Sequence, residues 1–169
     1  RSAATAFALD PALLMGVAAT ESSFRPRRSP DGGRGLFQIT APPAAAVRAA
    51  QTACGRETLD ANDHRDNACL GAATLRRYLD EMRGDLFLGL LAYNIGPANG
   101  GLRAIMERYG ARDFVTIQPY LQSLPRDYPI RVLSNALAYR LWAADGALPR
   151  YEEGDNALRI QRGGIPGLE

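Results

Sequence analysis

The chain has 169 residues, of which 46% are apolar and 22% are charged, and its formal net charge is +2. This length and composition predict one globular domain with its own hydrophobic core, and the small net charge argues against a dedicated nucleic-acid binder. All 20 basic residues are Arg, so the sequence excludes chemistry that depends on a Schiff-base lysine or a P-loop lysine.

The first predicted element is an apolar helix. Asp10 followed by Pro11 is a typical helix start, because the carboxylate caps the helix and Pro fits its first position. We expect this helix to run to about Ser23. The Pro- and Gly-rich residues 25–43 then predict a loop, with a short extended piece or one turn at Leu36–Thr40.

Further helices are predicted from apolar residues at helical spacing. They span residues 44–53, 67–82, 85–94, 98–109 and 130–144, with short helical turns over 113–124. The segment 85–94 is nearly all apolar, which indicates a helix buried on all sides. Beyond Gly146 the periodicity is lost. We therefore expect one mainly α domain over 1–146, with little or no β structure, and an irregular tail or linker over 147–169.

Two cysteines and one histidine limit the possible metal and thiol chemistry. They are too few for a structural zinc site, so we expect no metal and no cofactor. His64 lies in a predicted polar loop and is interpreted as a solvated residue rather than a catalytic base. A disulfide between Cys54 and Cys69 would add about 3 kcal/mol of stability and would indicate an oxidising compartment. Two free buried thiols are the alternative.

Glu21 is the candidate catalytic residue. It ends the apolar helix, and a carboxylate on the inner face of such a helix is costly to ionise. Its pKa should therefore rise, which suits a general acid. The alternative is a charge at a helix end that faces water. The downstream sequence Gly35-Leu-Phe-Gln-Ile39 favours the first interpretation.

Five motifs occur in a fixed order along the chain. They are the helix ending in Glu21-Ser22, the segment Ser29–Ile39, a helix with Asn67, Gly71 and Leu75, the segment Ala92–Pro97, and a closing helix with Tyr128 and Val132-Leu133. This ordered set resembles the soluble lytic transglycosylase family, which shares its fold with goose-type lysozyme. The likeness covers about residues 8–142 and implies a lysozyme-like, mainly α single domain.

The resemblance implies an enzyme that cleaves the β-1,4 bond between N-acetylmuramic acid and N-acetylglucosamine in peptidoglycan without water. Glu21 matches the single family glutamate, which protonates the glycosidic oxygen and then takes a proton from the muramic 6-hydroxyl. That hydroxyl attacks its own anomeric carbon and forms a 1,6-anhydro end, an intramolecular step with a high effective concentration. The 2-acetamido group is expected to assist.

The resemblance also assigns roles around the catalytic carboxylate. Gln38 and Ser29 match positions that hydrogen-bond the sugar or steady the glutamate, the alternatives being a loop amide and a turn residue. Tyr93 matches the tyrosine whose hydroxyl points at the carboxylate, the alternative being a core tyrosine. Asn94 is either a substrate contact or a helix cap. Phe37 stands where the family usually has Met, and we expect it to line the cleft and contact a sugar face.

Two alternative functions remain open. A muramidase would hydrolyse the same bond but needs a second carboxylate about 6.5–9.5 Å away. The only acid between Glu21 and Glu57 is Asp31, in a Pro-Asp-Gly-Gly sequence typical of an exposed turn. A non-catalytic peptidoglycan-binding or scaffold module is the other alternative, because Leu124-Pro125 replaces the family's Glu-Thr pair, with Gln122 as a suggested substitute.

Location and partners follow from the same resemblance. We expect peptidoglycan glycan strands as the partner, no nucleic acid, a monomeric protein, and the bacterial periplasm or cell envelope as the location after export. A larger cell-envelope or secretion assembly is a further candidate partner. No stretch approaches the ~20 apolar residues of a membrane-spanning helix. The chain starts at Arg1 rather than Met, so we expect a processed form or an excised domain.

Overall fold

The computed structural model describes residues 2–97 and 101–145, and helices dominate this part of the chain. In chain order they are α1 Ser2–Ala6, α2 Pro11–Ser22, α3 Ala44–Cys54, α4 His64–Glu81, α5 Leu86–Ile95, α6 Leu102–Tyr109, α7 Phe114–Ile117 and α8 Ser123–Asp145. The strands of the described residues, β1 Arg27–Arg28 and β2 Arg34–Gly35, form one short antiparallel hairpin. The mainly α class predicted from the sequence is confirmed.

Helix ends are capped by short polar residues and by glycine, and the cap predicted at Asp10 is present. The Asp10 carboxylate accepts a hydrogen bond of 2.7 Å from the backbone N–H of Ala12 at the start of α2. Asp63 caps α4 in the same way. Gly110 ends α6 in the left-handed conformation, with φ of 66°, which glycine adopts without a steric cost.

The buried apolar side chains form two clusters. The first joins α1, α2, α3 and α4 to Tyr128 and Val132 of α8. The second joins the end of α4 to α5, α6 and α7. Tyr93 of α5 packs against both clusters, so it lies where they meet.

Two helices begin earlier than predicted, and α1 was not predicted at all. α8 begins at Ser123 rather than Ile130 and contains Pro129, although proline inside a helix costs about 3 kcal/mol. The side chains of Tyr128, Pro129 and Val132 are almost completely buried, and their packing offsets that cost. α4 begins at His64, so this histidine is an exposed residue of the first helical turn and not a loop residue.

A disulfide joins Cys54, at the end of α3, to Cys69 in α4. The predicted pairing is confirmed, and the alternative of two free thiols is wrong. The bond fixes α3 against the helix that supports the candidate site.

Some predictions fall outside the described residues. These include the tail over 147–169 and the start of the predicted helix at residue 98. Within the described ranges, no helix combines the length and the apolar character needed to cross a membrane.

Candidate active site

Glu21 is the next-to-last residue of α2, and its side chain is partly buried. The carbonyl end of a helix carries a partial negative charge, which disfavours a further carboxylate there. The chain leaves the helix through two left-handed residues, Ser23 with φ of 51° and Phe24 with φ of 58°. These two residues end the helix and turn the chain away from the helix axis directly after Glu21.

α2 packs most extensively against α8, and the contact depends on small residues. A Cβ atom added at Gly16 would lie 2.4 Å from the Val132 carbonyl oxygen, so only glycine allows this approach. One turn later, the Asn135 side-chain amide donates a hydrogen bond of 3.0 Å to Thr20 Oγ1. These contacts fix α8 beside the end of α2 that carries Glu21.

Tyr128 is the residue of α8 that reaches Glu21. Its hydroxyl donates a hydrogen bond of 2.6 Å to Glu21 Oε1, and its side chain is 2% exposed. Burial is the largest cause that raises the pKa of Tyr128 well above its ordinary range, so the residue stays a neutral donor. Tyr128 therefore orients the carboxyl group without adding charge.

The pKa of Glu21 is raised above its ordinary value of 4.5, chiefly because burial penalises the charged form. The Asp31 charge acts in the same direction. The hydrogen bond from Tyr128 and the charges of Arg131 and Arg27 oppose the shift but do not cancel it. The protonated form of Glu21 thus persists to higher pH than that of an ordinary glutamate, as predicted from the sequence.

The loop between α2 and α3 contains the β1–β2 hairpin and is fixed by Gln38. The Gln38 side-chain amide donates to the carbonyl of Gly35 at 2.7 Å and to that of Arg27 at 3.0 Å. Both amide hydrogens are therefore used within the loop, which leaves the amide oxygen as the polar group available to a ligand.

Asn67 connects this loop to α4. Its completely buried side chain donates to the carbonyls of Arg34 and Ala61, each at 2.9 Å, and accepts from the Phe37 N–H at 2.9 Å. Gly35, with φ of +74°, lies against it, since an added Cβ would come within 2.5 Å of the Asn67 amide. One buried amide of α4 thus holds two loops, the hairpin loop and the loop that precedes α4.

Phe37 belongs to the hydrophobic core and not to the cleft. Its side chain is 4% exposed, and its ring lies directly over Gly71, where an added Cβ would come within 2.6 Å. Asn67, Gly71 and Leu75 are spaced four residues apart, so they share the face of α4 that supports the loop. The prediction that Phe37 contacts a sugar face does not agree with this burial.

Tyr93 makes a different contact from the one expected. Its hydroxyl donates a hydrogen bond of 2.9 Å to the Phe37 carbonyl, whereas the hydroxyl on Glu21 is that of Tyr128. Tyr93 is nevertheless near the carboxylate, because the charge of Glu21 contributes to raising the pKa of Tyr93, after burial. Tyr93 thus fixes the loop rather than the carboxyl group.

A cavity of about 320 Å³ opens beside this site. Its lining includes three of the predicted site residues, Gln38, Tyr93 and Asn94, and also Asp31, which was expected in an exposed turn. Asn94 is exposed at the end of α5. Within the described ranges, no group of three or more His, Cys, Asp or Glu residues is placed to hold a metal ion.

Ser29 belongs to the hairpin turn, and Gln122 and Leu124 are exposed residues next to the start of α8. The Ser29 hydroxyl donates a hydrogen bond of 3.3 Å to the Gly33 carbonyl oxygen inside the hairpin turn. Hydrogen bonding from the same side chain is the largest cause that lowers the pKa of Asp31, which is exposed. Leu124, in place of the family's Glu, is 73% exposed, and Gln122 is also exposed.

Comparison with known proteins identifies the family of this chain. Residues 1–113 match the family model described as the Transglycosylase SLT domain. The chain belongs to this family. The SLT domain resembles an inactive glutamate-to-glutamine mutant of lytic transglycosylase Slt from Pseudomonas aeruginosa, with a TM-score of 0.66 and 21% identity over 84% of this chain. It also resembles the 70-kDa soluble lytic transglycosylase of Escherichia coli, with a TM-score of 0.64 and 24% identity over 81% of this chain.

A third similar structure is a complex of the 70-kDa soluble lytic transglycosylase with bulgecin A, with a TM-score of 0.62 and 22% identity over 81% of this chain. At these identities the likeness shows the fold, and the predicted lysozyme-like fold of lytic transglycosylases is confirmed. The SLT domain spans 22–23% of the length of these three structures.

The two tyrosines give a prediction about pH dependence. Tyr128→Phe removes a hydrogen bond that lowers the pKa of Glu21, so this pKa should rise further. If the reaction needs protonated Glu21, the alkaline limb of the pH–rate profile moves to higher pH. Tyr93→Phe, which removes a hydrogen bond to Phe37 only, should leave this limb in place. Equal shifts in both variants, measured by murein solubilisation against pH, would contradict the assignment.

Proposed function

We propose that this SLT domain is a peptidoglycan lytic transglycosylase with Glu21 as its only acid and base. The observation that carries the proposal is a partly buried carboxyl group with a raised pKa, held by the neutral donor Tyr128. Family membership supports the reaction class. So does the glutamate-to-glutamine mutant of the similar Pseudomonas aeruginosa enzyme, which is inactive.

In the proposed reaction, protonated Glu21 donates its proton to the glycosidic oxygen between N-acetylmuramic acid and N-acetylglucosamine. The bond to the anomeric carbon breaks, and the N-acetylglucosamine side leaves as an alcohol. The Glu21 carboxylate then accepts the proton of the muramic 6-hydroxyl as that oxygen bonds to the anomeric carbon. The product is a 1,6-anhydro end, and Glu21 regains its proton without a water molecule.

The other predicted site residues would act on the glycan around this carboxyl group. The Gln38 amide oxygen and the exposed Asn94 side chain line the cavity and would accept or donate hydrogen bonds to sugar groups. Ser29 and Tyr93 would act indirectly, through the hairpin turn and the Phe37 carbonyl. The partner would be the glycan strands of peptidoglycan, in the periplasm or cell envelope.

Incubation with purified murein separates an enzyme from a non-catalytic module of the same fold. We expect the protein to release soluble muropeptides, measured as a loss of turbidity and by chromatography of the supernatant. Sedimentation of the protein with intact murein, without any release, would support a binding or scaffold module instead.

A muramidase is the second candidate, and Asp31 is the observation that favours it. Its carboxylate lines the cavity and its charge acts on Glu21, so it could activate water. If Glu21 works alone, Asp31→Asn should keep the rate of murein solubilisation within about threefold and shift the alkaline limb slightly to lower pH, because a charge that raises the pKa of Glu21 is removed. A loss of about 10²-fold or more would indicate a second catalytic carboxylate.

A further inference from the structure

Arg27 connects the hairpin to the backbone of Glu21. Its guanidinium donates a hydrogen bond of 3.1 Å to the Glu21 carbonyl oxygen, in the last turn of α2. The last carbonyls of a helix have no partner within the helix and carry its partial negative charge. A cationic side chain placed there supplies a hydrogen bond and offsets that charge. Arg27 therefore acts on the helix end that carries the candidate catalytic carboxyl group.

The backbone of Arg27 is held inside the hairpin loop. It pairs with Gly35 across the two short strands, and its carbonyl accepts the hydrogen bond of 3.0 Å from the Gln38 side-chain amide. Arg28 is the next residue of β1, and successive side chains of a strand point to opposite faces. In the described part of the chain, the exposed Arg28 side chain makes no hydrogen bond or ion pair. The two neighbouring arginines thus differ in their contacts.

Opposing charges act on the ionisation of Glu21. Burial, the helix end and the exposed Asp31 carboxylate disfavour its charged form. Two cations of the described chain favour it, and of these Arg27 also lowers the pKa of Asp31. The groups that face Glu21 are Arg27 and Asp31 of the hairpin loop, Arg131 and the neutral Tyr128 of α8, and the neutral Tyr93 of α5.

The proposed reaction requires Glu21 to ionise in a place that disfavours a carboxylate. When Glu21 donates its proton to the glycosidic oxygen, a negative charge develops on its side chain. This charge remains until the carboxylate takes the proton of the muramic 6-hydroxyl. A positive charge that is already fixed nearby lowers the energy of this state without rearranging during the reaction. The attachment of Arg27 to both the hairpin and the helix end fixes such a charge.

We propose that Arg27 is a positioning residue for Glu21. It holds the end of α2 against the hairpin and keeps a positive charge near the carboxylate that forms during proton transfer. The catalytic part of this inference rests on the proposed function, whereas the electrostatic part concerns the free protein. Because Gln38 and Gly35 hold the backbone of Arg27, the conformation of the hairpin and the ionisation of Glu21 are linked.

The test compares Arg27→Gln with Arg28→Gln. Glutamine removes the charge of Arg27 but retains an amide that can donate to the Glu21 carbonyl. The pKa of Glu21, followed by ¹³C NMR of its carboxyl carbon, should rise in Arg27→Gln, because a cation that lowers it is removed. The resonance is assigned by its absence in Glu21→Gln. Arg28→Gln is the matched control and should leave this pKa unchanged.

The rate of murein solubilisation should change in the same variants. In Arg27→Gln the alkaline limb of its pH profile should move to higher pH, because the protonated form of Glu21 persists further. The maximal rate should fall about two- to tenfold, since the carboxylate that forms is less stable. Arg27→Lys keeps the charge and should restore both. Arg27 is exposed, so the differences should be smaller at about 1 M salt, where the screening length is roughly 3 Å.

Three results would overturn the inference. An unchanged pKa of Glu21 in Arg27→Gln would show that this charge does not reach the carboxyl group. An equal rise in Arg28→Gln would show a general effect of surface charge. A raised pKa with an unchanged maximal rate would show that the charge does not assist proton transfer. The NMR titration needs no activity, so a protein whose Glu21 responds to Arg27 but which never releases muropeptides would reject only the proposed function.

Discussion

Glu21→Gln is expected to lower the rate of murein solubilisation by about 10²–10⁴-fold, the usual contribution of a general acid and base. Glutamine keeps the size of the side chain and can still accept the hydrogen bond from Tyr128, so the fold should not change. The measurement is the initial rate of muropeptide release by equal amounts of folded protein. Glu107→Gln, on an exposed position of α6, is the matched control and should keep full activity.

The same variant should be more stable than the wild-type protein at neutral pH. Because the pKa of Glu21 is raised by folding, the folded state binds this proton more tightly than the unfolded chain does. That contribution to stability is full below the ordinary value of 4.5 and is lost as pH rises through the raised pKa. Glutamine cannot ionise and avoids this loss. The variant's thermal midpoint should therefore exceed that of the wild-type protein at neutral pH, and the difference should become smaller in acid. A difference that does not depend on pH would contradict a raised pKa of Glu21.

Asn67→Ala is expected to lower the free energy of unfolding by about 3–5 kcal/mol, the largest effect on stability that we predict. The substitution leaves two carbonyls, of Arg34 and Ala61, and the Phe37 N–H without their partner in a buried site. The hairpin loop would then lose its attachment to α4. Denaturant unfolding of both proteins gives the difference in free energy directly, provided that the m-value is the same in the two.

Asn62→Ala is the matched control for this change. Asn62 is exposed, and its side-chain amide donates a hydrogen bond of 2.9 Å to the nearby Asp60 carboxylate, so its removal should cost no more than about 0.5 kcal/mol. Similar losses in the two alanine variants would show that the buried amide network around Asn67 does not hold the loop.

The helix that carries Glu21 and the disulfide were predictable because their causes are local. Asp10 and Pro11 define the start of α2, and its apolar sequence requires burial, so a raised pKa for a carboxyl group at its end follows. The sequence has two cysteines, so Cys54 and Cys69 are the one pair that can form a disulfide within the chain. In each case, the sequence leaves few alternatives.

The contacts of the two tyrosines and of Phe37 were not predictable, because they depend on tertiary packing. Tyr128 lies 107 residues from Glu21, and Pro129 next to it indicates a helix boundary in the sequence rather than a helix interior. Phe37 becomes a core residue only because α4 presents Gly71 to its ring. Asn67 lies on the same face of α4, and its sequence neighbours do not indicate that its side chain would hold the hairpin loop and the loop before α4.

Digestion of murein in H₂¹⁸O, followed by mass spectrometry of the released muropeptides, tests most directly whether Glu21 works alone. If the muramic 6-hydroxyl is the nucleophile, the products carry 1,6-anhydro ends, are lighter by one water than the hydrolysed products, and contain no ¹⁸O at the muramic anomeric carbon. Reducing ends labelled with ¹⁸O would show that water attacks this carbon, and the account of a single acid and base closing the ring would be wrong.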